Sequence, residues 1–304
     1  MMSLPAQPGP GRVYVGTSGW TYRHWRGTYY PQGLVQRREL EYLAGQMASV
    51  EINGSFYSLQ RPETYARWAS QVPPGFIFAV KGGRFVTHMK KLRDVRQPLS
   101  NFFASGVLRL EDRLGPVLWQ LPERLRFDAA LIEDFLALLP RSTTEAARLA
   151  QEHSAHLEGR AWMDVQHELP IRYALEVRHD SFRTPELTSL LRRAGVSLVV
   201  ADAAGLFPLI EEVTADFVYV RLHGSRELYR SGYQPDEIDT WARRIRAWQA
   251  GTEPPDARRL TEEPVPLRPR DVYVYFDNDI GTHAPFDALA LMKVLQGDGE
   301  HGDG

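Results

Sequence analysis

IRYALEVRHDSF, residues 171–182, begins as a short β-forming run and ends by setting Glu176, Arg178, His179 and Asp180 within five positions. Collecting that much charge at the end of a buried strand is costly unless the charges meet each other or a ligand. Strand side chains alternate, so Glu176 and Arg178 share the face of Ala174, while Tyr173, Leu175 and Val177 point the other way. Taken alone, the strand is explained equally well by an ion pair that closes it off. Whether other strands end the same way decides between the two readings.

They do. Earlier in the chain, the run 13–16 leads into Ser18 and Trp20, 50–52 carries Glu51 and Asn53 on one face, 76–80 ends in Lys81, and 115–119 ends in Gln120. Later, 196–200 ends at Asp202, Phe217–Leu222 puts Arg221 and His223 on one face, and 272–276 runs into Asp277, Asn278 and Asp279. Between these runs, apolar periodicity and end signals predict helices over residues 37–47, Pro62–Ser70, 128–139, 142–156, Pro185–Ala194, Pro235–Gln249 and 285–295. A mostly helical segment reaches residue 110. Ser142 with Glu145 reads as a capping box, and Gly195 as a helix stop. The link between the sixth and seventh strands is short and apolar, so its helix is expected to be degenerate.

Eight β-rich runs separated mainly by helices predict an α/β fold, a single TIM-type (β/α)₈ barrel with somewhat irregular helices, over residues 13–295. An open doubly wound sheet is the alternative, but GTSGW lacks the glycine spacing of a dinucleotide fold, and no Walker A pattern is present. Residues 1–12 and 296–304 read as flexible tails, and the Pro-, Arg- and Glu-rich stretch 251–270 as a mobile connection. Lys plus Arg is 36 against 38 Asp plus Glu, so no general field draws duplex nucleic acid or an anionic membrane. There is no cysteine, hence no disulfide, thiolate nucleophile or cysteine metal site. The first residues lack the basic start and apolar core of a signal peptide, and no apolar run is long enough to cross a bilayer. A soluble, cytoplasmic protein is expected; oligomeric state is left open.

In a barrel the carboxyl ends of the strands form the working face. Polar ends on all eight strands, around a mouth whose interior is otherwise apolar, point to a ligand pocket more strongly than to a structural plug. Lys81, Arg178 and Arg221 suit a small anionic substrate bearing phosphate or carboxylate oxygens, although Glu51 and Glu176 are their alternative, internal partners. Glu51, Glu176 and His223 are the candidates for proton transfer, with Asp202, His179 and Tyr229 added to the binding set. In the aromatic segment that follows the first strand, Trp20, Tyr22 and Trp25 form either a ligand wall or packing against the mouth. Tyr57 joins them, and His88 is the ligand candidate of the basic loop GGRFVTHMKKLRD. The reaction is left open. A metal-independent hydrolase or lyase without cofactor is preferred, against a metal-assisted phosphodiesterase, a single-stranded nucleic-acid processing protein whose aromatics stack on bases, and a non-catalytic binding module. No metal site is expected, since HExxH and close histidine clusters are missing.

GTSGWTYRHWRGTYYP (16–31), EINGSFY (51–57), FAVKGGRFVTHMKKL (78–92), GPVLWQLP (115–122), LEVRHDSF (175–182), VRLHG (220–224) and VYFDND (274–279), in that order, resemble the domain of unknown function 72, or YecE-like, family. The resemblance covers residues 13–292. It implies a TIM barrel, and maps the family's signature residues to Ser18, Trp20, Tyr22, Trp25, Glu51, Asn53, Tyr57, Lys81, His88, Gln120, Glu176, Arg178, His179, Arg221, His223 and Asn278. Asp277 and Asp287 stand where the family usually has Asn, which bears on hydrogen bonding near the eighth strand. The family is similar in overall barrel form to endonuclease IV and sugar-isomerase-like barrels, whose dense His, Glu and Asp metal set this sequence does not carry.

Overall fold

A computed structural model describes residues 11–297. Its strands are β1 (Val13–Thr17), β2 (Ser49–Ile52), β3 (Ile77–Lys81), β4 (Leu114–Gln120), β5 (Tyr173–Glu176), β6 (Ser197–Asp202), β7 (Phe217–Leu222) and β8 (Asp271–Phe276). The helices are α1 (Glu39–Ala44), α2 (Gly54–Tyr57), α3 (Pro62–Ser70), α4 (Arg96–Ala104), α5 (Ala129–Ala137), α6 (Thr143–Ala150), α7 (Pro185–Ala194), α8 (Pro235–Gln249) and α9 (His283–Gly297). Every strand pairs in parallel with its neighbour from β2 up to β8 and on to β1. The ring closes through a bridge between Ser18 and Glu51, where Gly19 N donates to Glu51 O at 2.8 Å. At this seam a Cβ on Gly16 would stand 2.0 Å from Ser49 O, so only glycine lets β1 pass so close to β2. The predicted TIM-type (β/α)₈ barrel is therefore present.

Alternation along the strands divides the core in two. Phe78, Val80, Val117, Trp119, Leu175, Val218 and Val274 face outward into the layer shared with the helices. Ala79, Leu118, Ala174, Val199, Ala201, Phe217, Tyr219, Tyr273 and Tyr275 fill the barrel itself as a separate cluster. Two positions further on, the same inward face carries Ser18, Glu51, Lys81, Gln120, Glu176, Arg221 and Asp277. β6 supplies only Ala201 at that level. Asp202 is one residue out of phase, so its placement at the shared mouth is corrected: it accepts a hydrogen bond from Tyr233 OH at 3.1 Å and lines a separate groove.

α3, α7 and α8 have the expected bounds, each with proline in its first turn, where no amide hydrogen is needed. The helix expected over 142–156 stops at Ala150. Ser154 N and Oγ bond Asn101 Oδ1 at 2.8 and 3.0 Å, which draws the chain off the helix axis onto α4. The helix expected over 37–47 shortens to α1 behind a 3₁₀ turn at Gln36–Arg38. No helix joins β6 to β7. The connection 251–270 has neither helix nor strand, and the amides of Arg258, Leu260 and Thr261 donate to Glu211 and Glu212. Of the expected tails, residues 1–10 and 298–304 lie outside the described residues. Inside them, the Arg12 carbonyl accepts from Val272 N at 2.8 Å, and residues 296–297 belong to α9. Among the described residues no helix is long and apolar enough to cross a membrane.

Candidate functional site

Arg221, on β7, is the fully buried hub of the strand ends. Its Nε donates to Glu51 Oε2 at 3.1 Å, and Nη1 to Glu176 Oε2 at 2.8 Å. Nη2 reaches Ser18 Oγ, Glu51 Oε1 and Asp277 Oδ2 at 2.9, 2.9 and 2.8 Å. Each guanidinium nitrogen is thus taken by protein oxygen. Ser18 Oγ also makes a short hydrogen bond to Glu51 Oε1, and Tyr219 OH donates to Glu51 Oε2 at 2.6 Å. Glu176 Oε1 accepts from Gln120 Nε2 and Arg178 Nε, both at 2.9 Å. Burial alone would raise the Glu176 and Asp277 carboxyls, but Arg221 beside both holds them below their ordinary range. His223 is buried against the hub, with Nδ1 3.0 Å from Asp277 Oδ2 but not aligned as a hydrogen bond. Burial, and then Arg221, push its pKa down, so it is neutral near pH 7.

Above this network opens a cavity of about 1050 Å³ at the C-terminal ends of the strands. Of the residues expected at a ligand site, Trp20, Tyr22, Asn53, Tyr57, Lys81, His88, Gln120, Arg178 and Tyr229 line it. Ser18, Glu51, Glu176, Arg221 and His223 do not; they form the charge network beneath it. Trp25 is packed in the core against Tyr22, Tyr29 and Tyr30, the packing role that the aromatic segment allowed. Asn278 points outward, as alternation from Phe276 requires, and donates to Ser231 O at 2.9 Å and Asp287 Oδ2 at 2.8 Å. His179 Nδ1 bonds Ser181 N and Oγ at 3.0 and 2.9 Å, capping the turn after β5.

Three cations line the cavity: Arg84, whose guanidinium lies 5.9 Å from the Tyr57 ring centre, Arg178 and Lys81. Arg178 keeps Nε on Glu176, while Nη2 donates to Tyr229 OH at 3.2 Å and its plane lies 4.3 Å from the Phe207 ring centre. Nη1 has no hydrogen-bond partner among the described residues and makes a loose ion pair with the exposed Glu123 at 4.0 Å. Lys81 is nine-tenths buried, and its Nζ sits 4.5 Å from the Phe56 ring centre. Among the described residues this Nζ has neither a hydrogen bond nor an ion pair within 4.0 Å, whereas the Lys81 carbonyl accepts from Ser55 Oγ at 2.6 Å. Burial, followed by Arg221, lowers its pKa to about 8. Burial, Arg178 and Lys81 lower that of His88, whose Nδ1 lies 2.9 Å from Thr87 Oγ1.

Asp277 and Asp279 also line the cavity and were not among the expected site residues, Asp277 having been singled out only for standing where the family usually has Asn. Alternation from Tyr273 and Tyr275 would have pointed to Asp277. Asp279 follows the strand end, and burial with Asp277 nearby raises its pKa to about 6. Gln60, Trp68, Arg84 and Met89 reach the wall from helix and loop segments, for which strand periodicity gives no signal. Trp20 meets Trp68 edge to face at 5.2 Å, making an aromatic side to the opening. Among the described residues no group of three His, Asp or Glu is placed to hold a metal ion.

Comparison with known proteins gives a consistent picture. The sequence pattern of a family described as "Protein of unknown function DUF72" matches residues 14–302. The UPF0759 protein YunF of Bacillus subtilis is 22% identical over 315 residues, covering 93% of this chain and 94% of that protein. The UPF0759 protein YecE of Escherichia coli is 28% identical over 110 residues, 36% of this chain and 38% of YecE. A crystal structure of a DUF72 family protein from Thermotoga maritima superposes with a TM-score of 0.70 at 25% identity, covering 94% of this chain and 99% of that one.

Proposed function

The chain belongs to the protein family of unknown function DUF72, and from that premise we propose that it binds a small organic anion, phosphate- or carboxylate-bearing, in the cavity above the Arg221 network. One observation carries this reading: Arg178 and Lys81 turn to the same cavity N–H groups that no described residue takes up in a hydrogen bond, while the carboxylates beneath are already occupied by Arg221. An anion meeting Arg178 Nη1 gains charge-assisted hydrogen bonds while displacing only the 4.0 Å contact to the exposed Glu123, and leaves the Nε pair with Glu176 in place. The volume far exceeds that of a bare phosphate, and Trp20, Tyr22, Phe56, Tyr57 and Trp68 supply apolar surface for the rest of the ligand.

Any chemistry falls to groups that touch the cavity. Glu51, Glu176 and His223 are sealed below it, so the proton-transfer roles first assigned to them pass to Asp279, His88 and Lys81. Metal-assisted phosphodiester cleavage is disfavoured, because Arg221 occupies the carboxylates that would be its ligands. Stacking of single-stranded bases on the aromatic wall is the second arm of the test.

The test is isothermal titration of the intact protein with inorganic phosphate, sugar phosphates and a short single-stranded oligonucleotide. Sugar phosphates are expected to bind, and Arg178→Met to weaken them about tenfold or more, the loss of one charge-assisted contact. Binding of the oligonucleotide alone would favour the nucleic-acid reading. No binding by any of the three would remove the proposal.

A further inference from the structure

We propose that Lys81 is a nucleophilic amine that captures the carbonyl group of a small aldehyde or ketone ligand as an imine. The sequence uses lysine sparingly: four of its 36 basic residues are lysines, at 81, 90, 91 and 293. Lys90 and Lys91 sit at the end of a basic loop and Lys293 on α9, whereas Lys81 alone ends a barrel strand. An arginine there would supply a permanent anion clamp. A lysine supplies a clamp that can lose its proton and attack carbon.

The surroundings of Lys81 favour that second use. Its nitrogen has no hydrogen-bonded or ion-paired partner among the described residues, although the charges of Glu51 on the adjacent β2 and of Glu176 and Asp277 farther round the mouth all act on it. Those carboxylates are committed to Arg221, which itself adds like charge next to the amine. Burial and that charge favour the neutral amine, and Phe56 covers one side of it. The other charged and titratable groups of the cavity are Arg84, His88, Arg178, Asp279 and the phenols of Tyr22, Tyr57 and Tyr229.

The step balances with groups on hand. The Lys81 lone pair forms a C–N bond while the carbonyl π pair moves to oxygen, which takes a proton; nitrogen then gives up a proton, leaving a carbinolamine. Loss of hydroxyl as water, carrying a second proton, lets the nitrogen lone pair form the C=N bond of an iminium, and return of its N–H proton to the donor gives the neutral imine. Asp279 lines the same cavity and retains its proton to higher pH than an ordinary aspartate, so it is assigned as the proton donor. The inference rests on the cavity being a ligand pocket and narrows the ligand to a carbonyl compound. A 2-oxo acid would engage both Arg178 and Lys81.

Reductive trapping tests this. The full-length protein is incubated at pH 7.5 with sodium cyanoborohydride and either pyruvate, an anionic ketone, or hydroxyacetone, a neutral one, and labelled peptides are quantified by mass spectrometry. Lys81 is expected to be labelled about tenfold or more faster than Lys90, Lys91 and Lys293, which act as internal controls in the same molecule. Pyruvate should outpace hydroxyacetone. Labelling of Lys81 no faster than the other three with both probes overturns the inference, even if phosphate binds. Labelling by both probes at equal rates supports the amine while counting against the anion site. Since the comparison is made within the unmutated protein, it does not depend on a variant folding.

Discussion

Replacing Arg221 with methionine separates a structural hub from a ligand clamp. The guanidinium is fully buried and satisfies Glu51, Glu176 and Asp277 together, so its loss strands three carboxylates in the barrel mouth. Removing one partner of a buried ion pair costs about 3–5 kcal/mol. Arg178 still holds Glu176 and Lys81 still offsets part of the charge, which puts the expected loss on the order of 5 kcal/mol at pH 7. For a domain of this size that is a fall in melting temperature on the order of 10–20 °C.

The pH dependence carries a second signature. In the parent protein Glu176 and Asp277 have depressed pKa values, so the stability they contribute is complete above their unfolded values. It is lost only as pH falls through the lower folded values. In the variant, burial without Arg221 raises them, and the folded state takes up protons. Its stability therefore increases as pH falls from 7 toward about 4, and the gap to the parent narrows. Thermal melts of both proteins at pH 7 and pH 5, with phosphate titrations alongside, measure all of this. A variant melting within about 2 °C of the parent at pH 7, with phosphate binding lost, would refute the hub and return Arg221 to the ligand.

Asp279 keeps its proton up to about pH 6, so affinity for sulfate, whose own charge is constant, should rise as pH falls from 7.5 to 5; Asp279→Asn should flatten the profile. An unchanged profile in that variant would assign the titration to another group. Gly16→Ala drives a Cβ into Ser49 O at the β1–β2 seam, and is expected to cost about 1–3 kcal/mol in a urea unfolding curve. An unaltered midpoint would mean that the two strands can part without penalty.

The fold and half of the cavity were legible because one rule, alternation along a strand, governs both. From Ala174 it gives Glu176, and from Tyr219 it gives Arg221. The same rule rejects Asp202 and Asn278, which are polar and near strand ends but face outward. It also selects Asp277, although the tempting residue in the FDND stretch is its neighbour. What alternation cannot convey is saturation. Whether Arg221 meets a ligand or other side chains depends on Glu51 arriving 170 residues away in sequence, across a ring of strands. Trp25 illustrates the other limit, since a loop aromatic carries no periodic signal to say whether it faces the cavity or the core.

The Arg221 hub also bears on the order in which a ribosome delivers the chain. Glu51 is synthesised early, but the guanidinium that makes its burial tolerable arrives only with β7. A nascent chain that ends at β4 would have to seal Glu51 beside Ser18 without the guanidinium that pairs with it, with only the charge of Lys81 nearby to offset the cost of burying a carboxylate. The upper rim of the early strands is therefore expected to stay hydrated during synthesis and to close once β7 emerges and Arg221 reaches across.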